Sequence, residues 1–201
     1  FAHEVDVTDE QSVRAIVDTT IQRLGQLDIL HNNVGASLAL GDSAIEDISS
    51  EAFDGLVALN LRGMVFACKH VLPHMRERGS GVIINISSMA AWAAYPYVGY
   101  KTTKAGVIAL TEQLAATNAR YGIRANVILP GLMNTPMAIE SRVSDALSRE
   151  EVIAQRDKRV PLGRKMGTGW DVAHAAAFLA SDRAGFITGV SLPVDGGSSV
   201  S

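Results

Sequence analysis

Tyr100 and Lys104 stand four residues apart, the spacing that places two side chains on one face of a helix. A free phenol, with a pKa of about 10, is a poor base near neutrality, and a fixed ammonium beside it favours the ionised form. The pair is therefore equipped to exchange a proton with an oxygen on a substrate. Ser87-Ser88 precedes it by a short connection, Asn32-Asn33-Val34-Gly35 makes a polar turn further upstream, and Asn60 puts an amide inside an apolar helical stretch. Hydroxyls and amides of this kind can hold a substrate oxygen in place.

Such groups act together only if the fold brings them to one place. The apolar pattern alternates short β-rich runs with longer helical ones, without repeats or a dividing linker. Phe1 to Val7 reads as an opening strand. Thr8 and Gln11 resemble a capping box, and Val13, Ile16, Val17, Ile21 and Leu24 then recur at helical spacing until Gly25. Leu27 to Asn32 is a second strand, and Ser49 or Ser50 opens a long helix that runs to Gly79. Val82 to Ile86 is a third strand, apolar on both faces apart from Asn85, as suits a strand between two helical layers. A helix from about Gly99 to Tyr121 leads to a fourth strand, Ala125 to Leu129, broken by Pro130-Gly131. A loop-and-helix region fills Leu132 to Lys165, Thr168 with Asp171 caps another helix, and Ser191 to Val194 closes the series. This order predicts an α/β fold, a doubly wound, Rossmann-like parallel sheet in three layers, as a single domain over residues 1–201. Ligands of such sheets bind outside the carboxyl ends of the strands, which is where the asparagine, serine and tyrosine groups fall.

Composition narrows the partners. With 201 residues, 47% hydrophobic, 18 basic and 21 acidic, the chain has a net charge of −3 and no global field for nucleic acid or an anionic membrane. The clusters Arg76-Glu77-Arg78 and Arg156-Asp157-Lys158-Arg159 mix sign and read as solvated faces. Cys68 is the single cysteine, so no intrachain disulfide forms and a reducing, cytoplasmic home is expected. The longest apolar stretch is interrupted by Arg62, Lys69 and His70. His70 and His74 have a zinc-compatible spacing without a third ligand cluster, so no metal is expected.

Taken in order, Asn32-Asn33-Val34-Gly35, Asn60, Ser87-Ser88, Tyr100-x-x-x-Lys104, Pro130-Gly131 and Val194-Asp195-Gly196-Gly197 resemble the short-chain dehydrogenase/reductase family over nearly the whole chain. The resemblance implies an oxidoreductase that interconverts an alcohol and a carbonyl with NAD or NADP, which carries the hydride. It also implies roles. Tyr100 would exchange the hydroxyl proton, and Lys104 would lower the tyrosine pKa and hold the nicotinamide ribose. Ser88 would hold the substrate oxygen, and Asn60 would anchor a water in a proton relay. Cofactor contacts would come from Asp6 and Val7 at the adenine, Asn33 and Gly35 near its ribose, Pro130 and Gly131, and Met133 and Thr135 over the carboxamide. The family's commonest spacing back from Tyr100 gives Ser87 as the catalytic serine. Aligning the strand gives Ser88, with one residue deleted from the loop, and loops absorb deletions more readily than buried strands. A homo-oligomer is expected, with the small-molecule alcohol or carbonyl as the other partner. Trp92, Tyr95 and Tyr97 either line the substrate pocket or pack the loop.

Three departures stand out. No glycine-rich pyrophosphate turn occurs in these residues, and the acidic or basic residue that would choose between NAD and NADP is absent with it. Val34 and Ala91 are mild enlargements. The family's strand order places two strands between the opening segment and the strand that ends at Asn32, so two strand-helix units of roughly 25 residues each are expected ahead of Phe1. The competing reading is a non-catalytic relative that acts as an oligomerisation module. The longer epimerases that share the Tyr-Lys pair would need a further substrate domain.

Overall fold

The computed structural model describes residues 1–201. Four strands, β1 (Ile29–Asn32), β2 (Gly81–Ile86), β3 (Ile123–Pro130) and β4 (Ser191–Val194), form one parallel sheet in the order β1-β2-β3-β4. Asn32 lies opposite Asn85, and Ile86 opposite Ile128, so the carboxyl ends of the strands are nearly level. The connections are helical. They are α1 (Glu10–Leu24), α2 (Ser50–Arg78), α3 (Val98–Asn118), α4 (Pro136–Ile139), α5 (Arg149–Asp157) and α6 (Gly169–Ala180).

The layers follow from the apolar faces. Val17 of α1, Cys68, Val71 and Met75 of α2, and Leu114 and Ala115 of α3 pack with Ile83, Ile123 and Ala125 on one side of the sheet. Leu179 of α6 and Ala184 pack with Ile84, Ile86 and Ile128 on the other. β2 and β3 are thus buried on both faces, which is why their sequences are almost continuously apolar. The exception, Asn85, is fully hydrogen-bonded: Asn32 Nδ2 donates to its Oδ1 at 2.9 Å and its Nδ2 donates to Thr111 Oγ1 at 2.9 Å. Cys68 is buried among these groups and its thiol is pushed up to about 12 by burial, which suits a core side chain.

Two expectations need correction. Residues 1–7 form no strand: a strand needs a neighbour about 5 Å away, and an apolar cleft of about 300 Å³, lined by Val5, Val7, Leu30 and His31 among others, separates this segment from the free edge of β1. Nor is Thr8 the cap of α1. Asp9 is the cap, accepting from Gln11 N and Ser12 N, while Thr8 turns back to donate to Asp6 Oδ1 at 2.7 Å. The expected capping box of Thr168 and Asp171 does form at α6, and Gly25, Gly79 and Gly122 close their helices in the left-handed conformation.

Candidate active site

α2 runs from its cap, Ser49, to Arg78 without a break, but its turn at Ala58–Arg62 is widened into a π-helix. Such single wide turns occur frequently at functional sites. This one carries Asn60, which is fully buried. The amide grips the backbone of Ala36 as a strand would: Oδ1 accepts from Ala36 N and Nδ2 donates to Ala36 O, both at 2.8 Å. The second amide hydrogen goes to Thr103 Oγ1 at 3.2 Å. Asn60 thereby fixes the chain just after the Asn32-Gly35 turn against the catalytic face of α3.

Tyr100 lies in the first turn of α3 and is 9% exposed. The Ser88 side chain lies near enough to the Tyr100 phenol to favour the ionised form, and Ser88 Oγ accepts from Ala90 N at 3.1 Å. Ser87 is not equivalent, since its hydroxyl donates to Lys104 O at 2.7 Å in the core. Alternation along the extended chain turns these two serines to opposite sides, and of the two it is Ser88 that acts on the phenol. Lys104, one turn further along α3, is 2% exposed, with its Nζ 5.6 Å from the centre of the Tyr100 ring and donating to Ile86 O at 2.8 Å.

Burial dominates the electrostatics here. It pulls the Lys104 ammonium down to about 8. Burial also raises the Tyr100 phenol above its usual value, against the lowering effect of Ser88, with Tyr95 and Asp42 adding to the rise. Burial thus outweighs the other influences on the phenol, while the Lys104 ammonium bonds Ile86 O and stands 5.6 Å from the ring centre.

A buried carboxylate that sequence reasoning missed orders this corner. Asp42 Oδ1 accepts from Gly99 N at 2.9 Å, and Oδ2 accepts from Tyr100 N at 3.0 Å and from Ser37 Oγ at 2.9 Å. It caps α3 from a distant loop, where Tyr97, the residue at the local cap position, supplies no side-chain bond. Lys101 was missed as well: its ammonium donates to the carbonyls of Ala90, Ala91 and Ala93 and so closes the loop after Ser88. Neither residue has a local sequence partner that would reveal it. Tyr95 packs on both Tyr97 and Tyr100, with ring centres 5.5 and 5.6 Å apart, whereas Trp92 is exposed.

The remaining predicted residues ring this group or stand off from it. Gly35 meets Asn60 and Lys104 so closely that a Cβ would lie 3.1 Å from both Asn60 Oδ1 and Lys104 Nζ. Pro130 and Gly131 leave β3 beside Asp195, and Gly131 N donates to Val194 O at 2.9 Å. Met133 bridges to Gly167, and Thr135 stands at the cap of α4 with its hydroxyl making no capping bond. Asn33 is exposed at the end of β1. Asp6 and Val7 share no hydrogen bond with the tyrosine group: Asp6 is tied to Thr8, and Val7 packs on Gly63 of α2. His70 pairs with Glu10, Nε2 to Oε1 at 3.1 Å.

A hydroxyl and a buried phenol thus stand together at the carboxyl edge of a parallel sheet, backed by a buried lysine, the place where ligands of doubly wound sheets bind. A family profile described as enoyl-(acyl carrier protein) reductase matches residues 1–199. The chain belongs to the short-chain dehydrogenase/reductase family of oxidoreductases. It is 38% identical over 192 residues to 2-(R)-hydroxypropyl-CoM dehydrogenase of Xanthobacter autotrophicus, covering 95% of this chain and 74% of that one. It is 38% identical over 193 residues to cis-4-hydroxycyclohexanecarboxylate dehydrogenase of Sinomonas cyclohexanicum, covering 96% and 74%. The solved structure of ElxO with NADP bound superposes with a TM-score of 0.87 at 33% identity, over 99% of this chain and 78% of that one.

Proposed function

We propose that the chain interconverts a secondary alcohol and a ketone or related carbonyl, with Tyr100 as general acid and base. The observation that carries this reading is the buried Tyr100 with the Lys104 ammonium 5.6 Å from the centre of its ring, beside Ser88 at the carboxyl edge of the sheet. NAD or NADP is the cofactor, and when bound it takes or gives the hydride. The residues here fit its nicotinamide-ribose half. Lys104 spends one N–H on Ile86 O and keeps two for ribose hydroxyls, while Gly35 leaves the space beside that ammonium open. Thr135, whose hydroxyl makes no capping bond, and Met133 would cover the carboxamide.

In reduction, the protonated phenol that burial favours gives its proton to the carbonyl oxygen, and Ser88 Oγ hydrogen-bonds that same oxygen. In oxidation, the phenol oxygen receives the hydroxyl proton. Both hydrogens of the Asn60 amide are committed, which leaves an Oδ1 lone pair to hold a water that resupplies the proton. A homo-oligomer is part of this proposal, supported by the exposure of Trp170, Phe178 and Phe186, and light scattering in solution tests it. Both curated relatives described above are named as dehydrogenases, one of a hydroxy carboxylate. The reading is tested by nicotinamide absorbance with secondary alcohols and ketones. Cofactor-dependent turnover supports it, and no turnover of any with either NAD or NADP counts against it.

A further inference from the structure

Residues 132–167 fold back over the carboxyl ends of β3 and β4. Met133 pairs with Gly167, Leu162 N donates to Gly196 O at 2.9 Å, and Ile139, Val152, Val160 and Met166 form a small core of their own. Arg156 belongs to this cover, in α5. Its sequence neighbourhood reads as a solvated face, but the side chain is only partly exposed, and Nε is buried without a hydrogen-bond partner. Only one other buried side-chain polar atom, Ser43 Oγ, is left so.

The charge is unpaired as well. The ion pairs of the chain join Arg14, Lys69, His70, Arg78 and Arg149 to carboxylates, and none involves Arg156, Arg142 or Arg159. The adjacent Asp157 carboxylate is occupied by Met166 N at 2.8 Å. Burial, and then repulsion from Arg142 and Arg159, bring Arg156 down to about 10, so it is still a cation at neutral pH. The one neighbour that would favour its charge is Tyr95 as the phenolate, and the Tyr95 ring packs on that of Tyr100. Arg142 is itself held, Nη1 donating to Ala138 O at 2.9 Å.

A half-buried guanidinium among two others, with an orphaned N–H and no carboxylate, is an unfavourable arrangement unless something completes it. An oxyanion does so at one stroke, giving Nε its acceptor and offsetting the mutual repulsion. Resting on the alcohol and carbonyl reading above, we propose that Arg156, supported by Arg142 and Arg159, receives a carboxylate or sulfonate on the substrate, at the end remote from the carbon that reacts at Tyr100. Tyr95, whose ring packs on that of Tyr100 and which acts on Arg156, would supply the wall along which the substrate's apolar body packs.

The test compares 4-(1-hydroxyethyl)benzoate with 4-(1-hydroxyethyl)benzamide, which have the same alcohol and nearly the same shape and differ in charge. The parent enzyme favours the acid in kcat/KM by about tenfold or more, and Arg156→Gln brings the ratio close to one. A ratio near one in the parent, or one unchanged in Arg156→Gln, overturns the proposal. A thermal melt confirms that the variant is folded, and Arg156→Lys, which keeps the charge without the fork, gives an intermediate ratio. A second arm needs no turnover. 4-Ethylbenzoate and 4-ethylbenzenesulfonate raise the melting temperature of the parent in the presence of NAD or NADP, and raise that of Arg156→Gln less. If neither alcohol is oxidised but this difference is found, the anion site stands and the oxidoreductase reading is decided by the wider panel of secondary alcohols and ketones. If both alcohols are oxidised equally, and the two anions stabilise parent and variant alike, the anion site falls and the oxidoreductase reading stands.

Discussion

The two adjacent serines are interchangeable in composition but not in surroundings. Ser88 favours the ionised Tyr100 phenol, whereas Ser87 spends its hydroxyl on the Lys104 carbonyl inside the core. Ser88→Ala should lower kcat/KM by roughly 100-fold and move the alkaline limb of alcohol oxidation to higher pH, since the hydroxyl it removes favours the ionised phenol. Ser87→Ala should instead cost about 1 kcal/mol of stability and leave that limb in place. Pre-steady-state and pH-rate measurements on both variants check this, and equal effects would contradict it. Lys104 makes a separate prediction. Its pKa of about 8 lies below its ordinary 10.5, so between those values the unfolded chain binds more protons than the folded one, and this residue makes stability rise with pH. Below pH 8 the buried charge is a full penalty of roughly 3 kcal/mol. Lys104→Met should flatten that rise in denaturant titrations at pH 7.5 and 10.5, and an unchanged slope would contradict the burial argument. That Tyr100 and Lys104 share one helix face was legible in the sequence because a four-residue spacing is local, and the structure sets Lys104 Nζ 5.6 Å from the centre of the Tyr100 ring. The direction of the phenol's shift was not legible, because burial depends on what the rest of the chain stacks around it.

Among the elements, what the sequence showed well was order, and what it showed poorly was partnership. Apolar runs bounded by Gly25, Gly79 and Gly122 mark strands and helices because each glycine closes a helix in a conformation other residues avoid. Residues 1–7 have strand composition, but composition does not supply a neighbouring strand, and across from β1 there is a cleft instead. The cap of α3 was illegible for a related reason. Asp42 reaches Gly99 N and Tyr100 N from a loop far away in sequence, so no local motif announces it. Asp42→Ala should cost about 1–2 kcal/mol through the lost cap. It should also lower kcat more than it raises KM for a secondary alcohol, because the backbone that aims Tyr100 is the backbone it holds. A thermal melt with steady-state kinetics checks both parts; lost stability with kcat unchanged would reduce Asp42 to a structural cap.

At the scale of the whole molecule, the site is the point where the sheet's carboxyl edge, the wide turn of α2 and the start of α3 converge. Its side chains are held largely by backbone: Lys104 by Ile86, Asn60 by Ala36, Lys101 by the loop after Ser88. A substitution confined to the phenol oxygen should therefore leave the surrounding geometry in place. Tyr100→Phe removes that oxygen and little else, which makes it the most direct test of the central claim. Turnover of a secondary alcohol that the parent oxidises, followed by nicotinamide absorbance, should fall by about a thousandfold or more, while cofactor affinity by fluorescence titration stays within a few-fold of the parent. Turnover within tenfold of the parent, with the same cofactor affinity, would contradict the assignment of Tyr100 as the proton donor and acceptor.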